Sequence, residues 1–175
     1  MSLLRSTCAA LGLVAFAACA VDASEVSAEL ARQARVADRG VEKIARALAT
    51  LEPTSRSFGE GVREVERATR ELAALETDDR ASEAQRLQAI VLQARAWDDT
   101  ARAIDAVMAI DGGPAHPALV DALRDKSFPA RIAARNSYDR ALPMACAVDH
   151  AAVLEIVDGI ARNGGPTLAP EHSCP

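Results

Sequence analysis

Four side chains near the C-terminus have the types and the spacing to bind a metal ion. Cys146 and His150 are separated by three residues, and His172 and Cys174 by one. Two thiolates and two imidazoles can hold Zn²⁺ in a tetrahedron. The same two cysteines can instead form a disulfide, which is the ordinary state of a cysteine pair in an exported protein. We expect the Cys146–Cys174 disulfide with no bound metal, and the four-ligand zinc site is the alternative.

Histidine and methionine side chains raise the question of a haem, which helical bundles can host. The candidate axial ligands are the histidines (His116, His150 and His172) with Met108 or Met144. The sequence contains no C-x-x-C-H attachment motif and no Glu-x-x-His pair for a di-iron site. Motifs for an activated serine, a zinc protease or a phosphate-binding loop are also missing. The sequence therefore identifies no catalytic residue and no cofactor, and it favours a protein without enzymatic activity.

The first residues are typical of an export signal. Arg5 precedes an apolar run from Cys8 to Ala18, and small residues follow it. This run is too short to span a bilayer as a helix, which takes about 20 apolar residues. We expect residues 1–18 to form a signal peptide, and an end at residue 20 or 23 is the alternative.

The residues around Cys19 decide between two processing routes. Phe16-Ala17-Ala18-Cys19 resembles the lipobox of bacterial lipoproteins, although Phe16 stands where Leu, Val or Ile is usual. The resemblance implies that Cys19 is lipidated and anchors the chain to a membrane. Ordinary signal peptidase sites are also present at Ala18-Cys19-Ala20 and Val21-Asp22-Ala23. We expect the lipid-anchored form on the periplasmic side of a bacterial membrane, with a soluble periplasmic or secreted protein as the alternative.

The remaining residues must fold into helices, because apolar residues recur at alternating steps of three and four. The first stripe is Val26, Leu30, Ala34, Ala37, Val41, Ile44, Leu48 and Leu51. The second stripe is Phe58, Val62, Val65, Thr69, Leu72 and Leu75. The third stripe is Leu87, Ile90, Ala94, Trp97, Ala101, Ile104 and Met108, with Val91, Leu92 and Val107 beside it. Breaks are predicted at Glu52-Pro53, at residues 76–80 and at residues 111–114.

Shorter helices are predicted after Pro114, since Pro129 and Pro143 interrupt the pattern. Their apolar positions include Leu123, Ile132, Tyr138 and Leu142, and a last helix carries Val153, Ile156, Val157 and Ile160. Ser24 and Asp149 are candidate N-caps, and Asn163-Gly164-Gly165 is a candidate stop. The sequence predicts an all-α, up-and-down antiparallel bundle of three long helices plus two or three short C-terminal helices. The bundle is assigned to residues 24–145, and a C-terminal helix and disulfide-clipped tail to residues 146–175.

Composition excludes some classes of function. The net charge of −5 gives no electrostatic basis for nucleic-acid binding. We expect a non-enzymatic binding or structural role in the bacterial cell envelope, with another envelope protein as a possible partner. The alternative is a soluble bundle that binds a small ligand, haem or a metal in a core cavity lined by Met108 and Trp97, with a histidine as a further candidate.

Overall fold

The computed structural model describes residues 6–49, 56–109, 117–169 and 173–174. These residues form five α-helices and one 3₁₀ turn, and no β-strand occurs among them. The elements are α1 (Ser6–Ala49), α2 (Arg56–Glu76), α3 (Glu83–Met108), α4 (Pro117–Val148), the 3₁₀ turn (His150–Ala152) and α5 (Val153–Arg162). The helices pack against one another, so the all-α bundle that the sequence predicted is confirmed.

Helix α3 is the centre of the fold, because it packs against α1 and α2 on one side and against α4 and α5 on the other. Ile104 belongs to the core shared with α1 and α2, whereas Ile90 belongs to the core shared with α4 and α5. A third apolar cluster lies near the N-terminal end of α3, where Ala89 packs with Val26 and Leu72. This double burial explains the apolar residues beside the third stripe.

Helices α1 and α2 cross at a pair of glycines. A Cβ atom on Gly61 would lie 2.7 Å from the carbonyl oxygen of Gly40, and one on Gly40 would lie 2.8 Å from that of Gly61. The two backbones therefore touch at this crossing. Beside it, Lys43 Nζ lies 2.6 Å from Glu64 Oε1 and joins the same two helices.

Helix α4 corrects the prediction of separate short helices after residue 116. It runs without a break from Pro117 to Val148 and contains Pro129 and Pro143. Each proline removes one backbone hydrogen bond, but both are exposed, so water can solvate the freed carbonyl groups. The opposite face of α4 is buried along its length at positions such as Ala134 and Ala145. This burial outweighs the local preference for a break.

Two further predictions about α1 and α4 are wrong. Ser24 is not an N-cap, because α1 continues through it from Ser6. Ile132 is not a core residue, because its side chain is 44% exposed on the outer face of α4, one turn from Phe128.

The predicted stops that fall on described residues are confirmed. Helix α2 ends at Glu76, and the Asp149 side chain accepts a hydrogen bond from Ala151 N at the start of the 3₁₀ turn. After α5, Gly164 adopts a φ of 80°, and the amide of Gly165 donates to the carbonyl of Ile160 at 2.9 Å. This is the Schellman geometry that favours glycine. The predicted breaks at residues 52–53 and 111–114 lie outside the described part of the chain.

Candidate functional site

The Cys146 and Cys174 sulfur atoms form a disulfide, as the sequence predicted. His150 Nδ1 lies 3.7 Å from Cys174 Sγ, so three of the four residues of the predicted cluster lie close together. Because both sulfurs are bonded to each other, neither is a thiolate ligand, and the alternative zinc set does not form. No group of three or more metal-binding side chains occurs among the residues that were described. The side chains of Cys19, His116 and His172 lie outside the described part of the structure.

The disulfide holds the C-terminal tail against the core of α3, α4 and α5. Cys146, Cys174 and Leu168 are partly buried against this core, which includes Ile156 and Tyr138. The role of the cysteine pair in this structure is therefore to fix the tail.

A groove between α2 and α4, with α3 as its floor, is the candidate binding site. We call it the Trp97 groove. Its cavity has a volume of about 310 Å³. It is lined by Val62 and Glu66 of α2, by Trp97, Thr100 and Ile104 of α3, and by Asp125, Lys126, Pro129, Ala130 and Ala133 of α4.

The small residues of α4 create the space in the groove. Ala130 and Ala133 face it where larger side chains would reach towards α2. The indole of Trp97 is therefore only partly buried, although it lies on the core stripe. Met108 packs against the same core cluster as Trp97 but is not among the residues that line the groove.

A polar contact between three helices lies one turn from Trp97, towards the N-terminal end of α3. Arg140 Nη2 of α4 is 3.5 Å from Glu76 Oε2 of α2 and 3.4 Å from Gln93 Oε1 of α3. Gln93 is one turn from Trp97 and is 5% exposed. These long contacts are weak. Through them the side chain of Arg140 connects α4 to both α2 and α3.

The charged groups of the groove lie on its two walls. Glu66 of α2 and Asp125 and Lys126 of α4 are all exposed. In the described part of the chain, none of these three side chains has an ion pair or a hydrogen bond. Arg70, one turn from Glu66, donates to the backbone carbonyl of Glu66 at 3.4 Å and not to its carboxylate. The three charges are therefore available to a ligand.

A buried polar network lies on the opposite side of α3. Asp98 is 3% exposed and accepts hydrogen bonds from Arg162 Nη2 at 2.8 Å and from Asn163 Nδ2 at 3.0 Å. Asn163 Nδ2 also donates to the Gly159 carbonyl at 2.9 Å. This network ties the end of α5 to the middle of α3. No sequence pattern indicates this network, since the pair Asp98-Asp99 is typical of a solvated helix position.

Tyr138 of α4 packs beside this network. A Cβ atom on Gly159 would lie 2.4 Å from its ring, so glycine allows the ring to lie flat on α5. Burial, with the negative charge of Asp98 as a smaller cause, raises the pKa of Tyr138 to about 12. The phenol is therefore neutral at physiological pH, and its ring packs against α5 beside the network that joins α5 to α3.

Two other cavities are less suited to an apolar ligand. One, of about 520 Å³ between α3 and α5, is bordered by the ion pair of Arg95 with Glu155, which lowers the pKa of the Glu155 carboxyl. The other, of about 460 Å³, lies beside Phe128 and Ile132, and its arginines donate to the backbone carbonyls of Arg162 and Gly164. The arginine side chains that line these two cavities are already paired with protein groups.

The fold and the groove define a general class, an all-α bundle with a ligand-sized cavity that a tryptophan side chain lines. No protein-family model, curated protein or solved structure matches this chain. Among the described residues, no helix has the length and apolar character to cross a membrane. The groove itself must therefore support any statement about function.

Proposed function

We propose that this chain is an exported, non-enzymatic binding protein of the bacterial cell envelope. In this proposal Cys19 carries a lipid anchor, and the Trp97 groove binds a small ligand with an apolar body. The groove is the observation that carries the binding role. Ligand sites are concave, mostly apolar and lined by a few convergent polar groups, with volumes from about 300 Å³ upwards.

The distribution of side chains in the groove favours a small ligand over a haem. Its apolar surface comes from Trp97, Val62 and Ile104, and its polar groups lie at the rim. Its lining residues include no histidine, methionine or cysteine. We therefore do not extend the haem or metal alternative to this site.

The disulfide supports export, because disulfides persist in oxidising compartments and are rare in the cytosol. Contacts of α1 support a domain boundary near residue 23. Gln85 Nε2, at the start of α3, donates to the Ala23 carbonyl at 2.8 Å and to Ser27 Oγ at 2.9 Å. Val26, three residues after Ala23, is the first buried residue of the first stripe, with 2% of its surface exposed. Cleavage before Cys19 would leave all of these contacts in place.

Binding can be measured from the fluorescence of the single tryptophan of the chain, which lies in the groove. Titration of the full chain with 1-octanol should give a saturable change in the Trp97 emission. The variant Ala133→Leu, which fills the groove, should abolish this change. The variant Ala74→Leu adds the same side chain to an exposed position of α2 and should leave binding unchanged. A linear response, or equal binding by both variants, would refute the binding role.

Export and anchoring require a separate measurement. The intact mass of the protein from membrane and soluble fractions should show a membrane-bound chain that starts at Cys19 and carries added lipid mass. A soluble chain that starts at Val21 or Ser24 would replace the anchored form with the soluble alternative. An unprocessed chain in the cytosol would refute export.

A further inference from the structure

We propose that the ligand of the Trp97 groove is an organic cation, an ammonium group attached to an apolar body. This inference rests on the proposed binding function and adds the chemical class of the ligand. The juxtaposition that carries it is an indole side chain and two carboxylates, from opposite walls, that line one groove.

The carboxylates of Glu66 and Asp125 provide two unpaired negative charges. They belong to different helices, α2 and α4, and both line the cavity. Within the described residues neither carboxylate has a cationic partner. An ammonium group between them would interact favourably with both, whereas a ligand carboxylate would be repelled by both.

A backbone acceptor adds to these two charges. Pro129 lies inside α4 and has no N–H group, so it cannot donate to the carbonyl of Asp125 four residues earlier. Both residues line the groove. The carbonyl of Asp125 therefore lacks its usual helical donor, and an ammonium N–H group can supply one.

The aromatic side chain favours the same ligand. A cation over the face of a tryptophan is attracted by the negative charge of the ring face, and tryptophan is the strongest aromatic partner in such contacts. Val62 and Ile104 line the same cavity and can contact the apolar part of the ligand.

The donors of the groove do not reverse this preference. The Thr100 hydroxyl already donates to the Ala96 carbonyl at 2.7 Å. Lys126 is the one cation among the lining residues, and it stands against two acids, so the charges of the groove sum to −1. Lys126 is exposed and its flexible stem can move into solvent when a cation binds.

The experiment compares three ligands of equal chain length on the full protein at pH 7. Octylammonium, 1-octanol and octanoate are titrated against the fluorescence of Trp97. We expect octylammonium to bind about tenfold more tightly than 1-octanol, because a partly exposed ion pair contributes about two- to fivefold and two carboxylates are present. Octanoate should bind more weakly than 1-octanol.

Charge-neutral variants test the named residues. Glu66→Gln and Asp125→Asn should each lower the ratio of octylammonium affinity to 1-octanol affinity by about two- to fivefold. Lys126→Gln should strengthen octylammonium binding. Glu71→Gln, an exposed position of α2 that does not line the groove, is the matched control and should have no effect.

The outcomes separate this inference from the function on which it rests. Equal binding of the three ligands, or octylammonium binding that Glu66→Gln and Asp125→Asn do not weaken, overturns the ammonium preference and leaves an apolar-ligand site. Tighter binding of octanoate also overturns it. If none of the three ligands binds, both the inference and the proposed binding function fail.

Discussion

The glycine crossing of α1 and α2 allows a sharp test of how this bundle is held together. We compare Gly61→Ala with Gly59→Ala, two changes on the same helix. A Cβ atom at position 61 would lie 2.7 Å from the Gly40 carbonyl oxygen and 2.8 Å from Ile44 Cγ1. A Cβ atom at position 59 would meet only the flexible end of Arg63, at 3.4 Å.

The expected effects have opposite signs. Alanine stabilises a helix interior by about 1 kcal/mol relative to glycine, and this gain applies at both positions. At position 61 the methyl group forces two backbones apart, and overpacking of this kind costs about 1–3 kcal/mol. The cost should lie in the upper part of that range, because a backbone carbonyl cannot rotate away. We therefore expect Gly61→Ala to lower the free energy of unfolding by about 1–2 kcal/mol, and Gly59→Ala to raise it by up to about 1 kcal/mol.

Urea denaturation of the oxidised protein, monitored by circular dichroism, measures the free energy of unfolding of each variant. The difference between the two variants should be about 2–3 kcal/mol. If Gly61→Ala is as stable as Gly59→Ala, the helices do not approach as closely as the structure shows, and the reasoning from the glycine pair is refuted.

Three further predictions concern the C-terminal half of the fold. Reduction of Cys146–Cys174 should lower the free energy of unfolding by about 3.5 kcal/mol on the chain-entropy estimate, measured by urea denaturation with and without reductant; an unchanged midpoint would contradict a stabilising role. Asp98→Ala should cost about 2–3 kcal/mol, because it removes the carboxylate acceptor of Arg162 and one of the two acceptors of the buried Asn163 amide. Asp99→Ala, at the exposed neighbouring position, should change stability by less than about 0.5 kcal/mol. The raised pKa of Tyr138 means that the folded state favours the neutral phenol. The resulting contribution to the free energy of unfolding is complete below pH 10 and is lost as the pH rises to about 12. A stability profile over this range should lose that component in Tyr138→Phe, and identical profiles would contradict the assignment.

The helical architecture could be predicted from the sequence because the stripes report burial directly. Val26, Leu30, Ile44 and Leu48 are all buried in α1, as the first stripe predicted. The apolar residues beside the third stripe also fit the burial of α3 on two sides. These features depend on residues near one another in the chain, and a single sequence contains that information.

The continuity of α4 could not be predicted, since a local rule and a tertiary effect oppose each other there. Proline disfavours the helix interior, so the sequence predicts interruptions at Pro129 and Pro143. The outcome depends on which face of α4 packs against α3, and that face excludes both prolines. The glycine crossing was missed for a similar reason. Single glycines at positions 40 and 61, within two otherwise helical patterns, were its only signal.

Only part of the candidate site could be predicted from the sequence. Trp97 was assigned to the core from its position on the third stripe, and the structure places it at the edge of that core. Its partial exposure arises from Ala130 and Ala133 on a helix more than thirty residues away. No local pattern shows that these alanines lie opposite a tryptophan, so the groove becomes visible only when α2 and α4 are placed on either side of α3.

The position of the groove follows from the contacts at the start of α3. Gln85 contacts Ala23, and α3 then rises by about 1.5 Å per residue, so Trp97 lies about 18 Å and Ile104 about 28 Å further along the bundle. In the tethered form that we propose, the anchor at Cys19 lies at the Gln85 end. The ligand site is then held away from the anchored end, on the part of the bundle farther from the membrane. A ligand would therefore reach the groove from the aqueous phase, which fits an amphiphile with a charged group better than a molecule extracted directly from the bilayer.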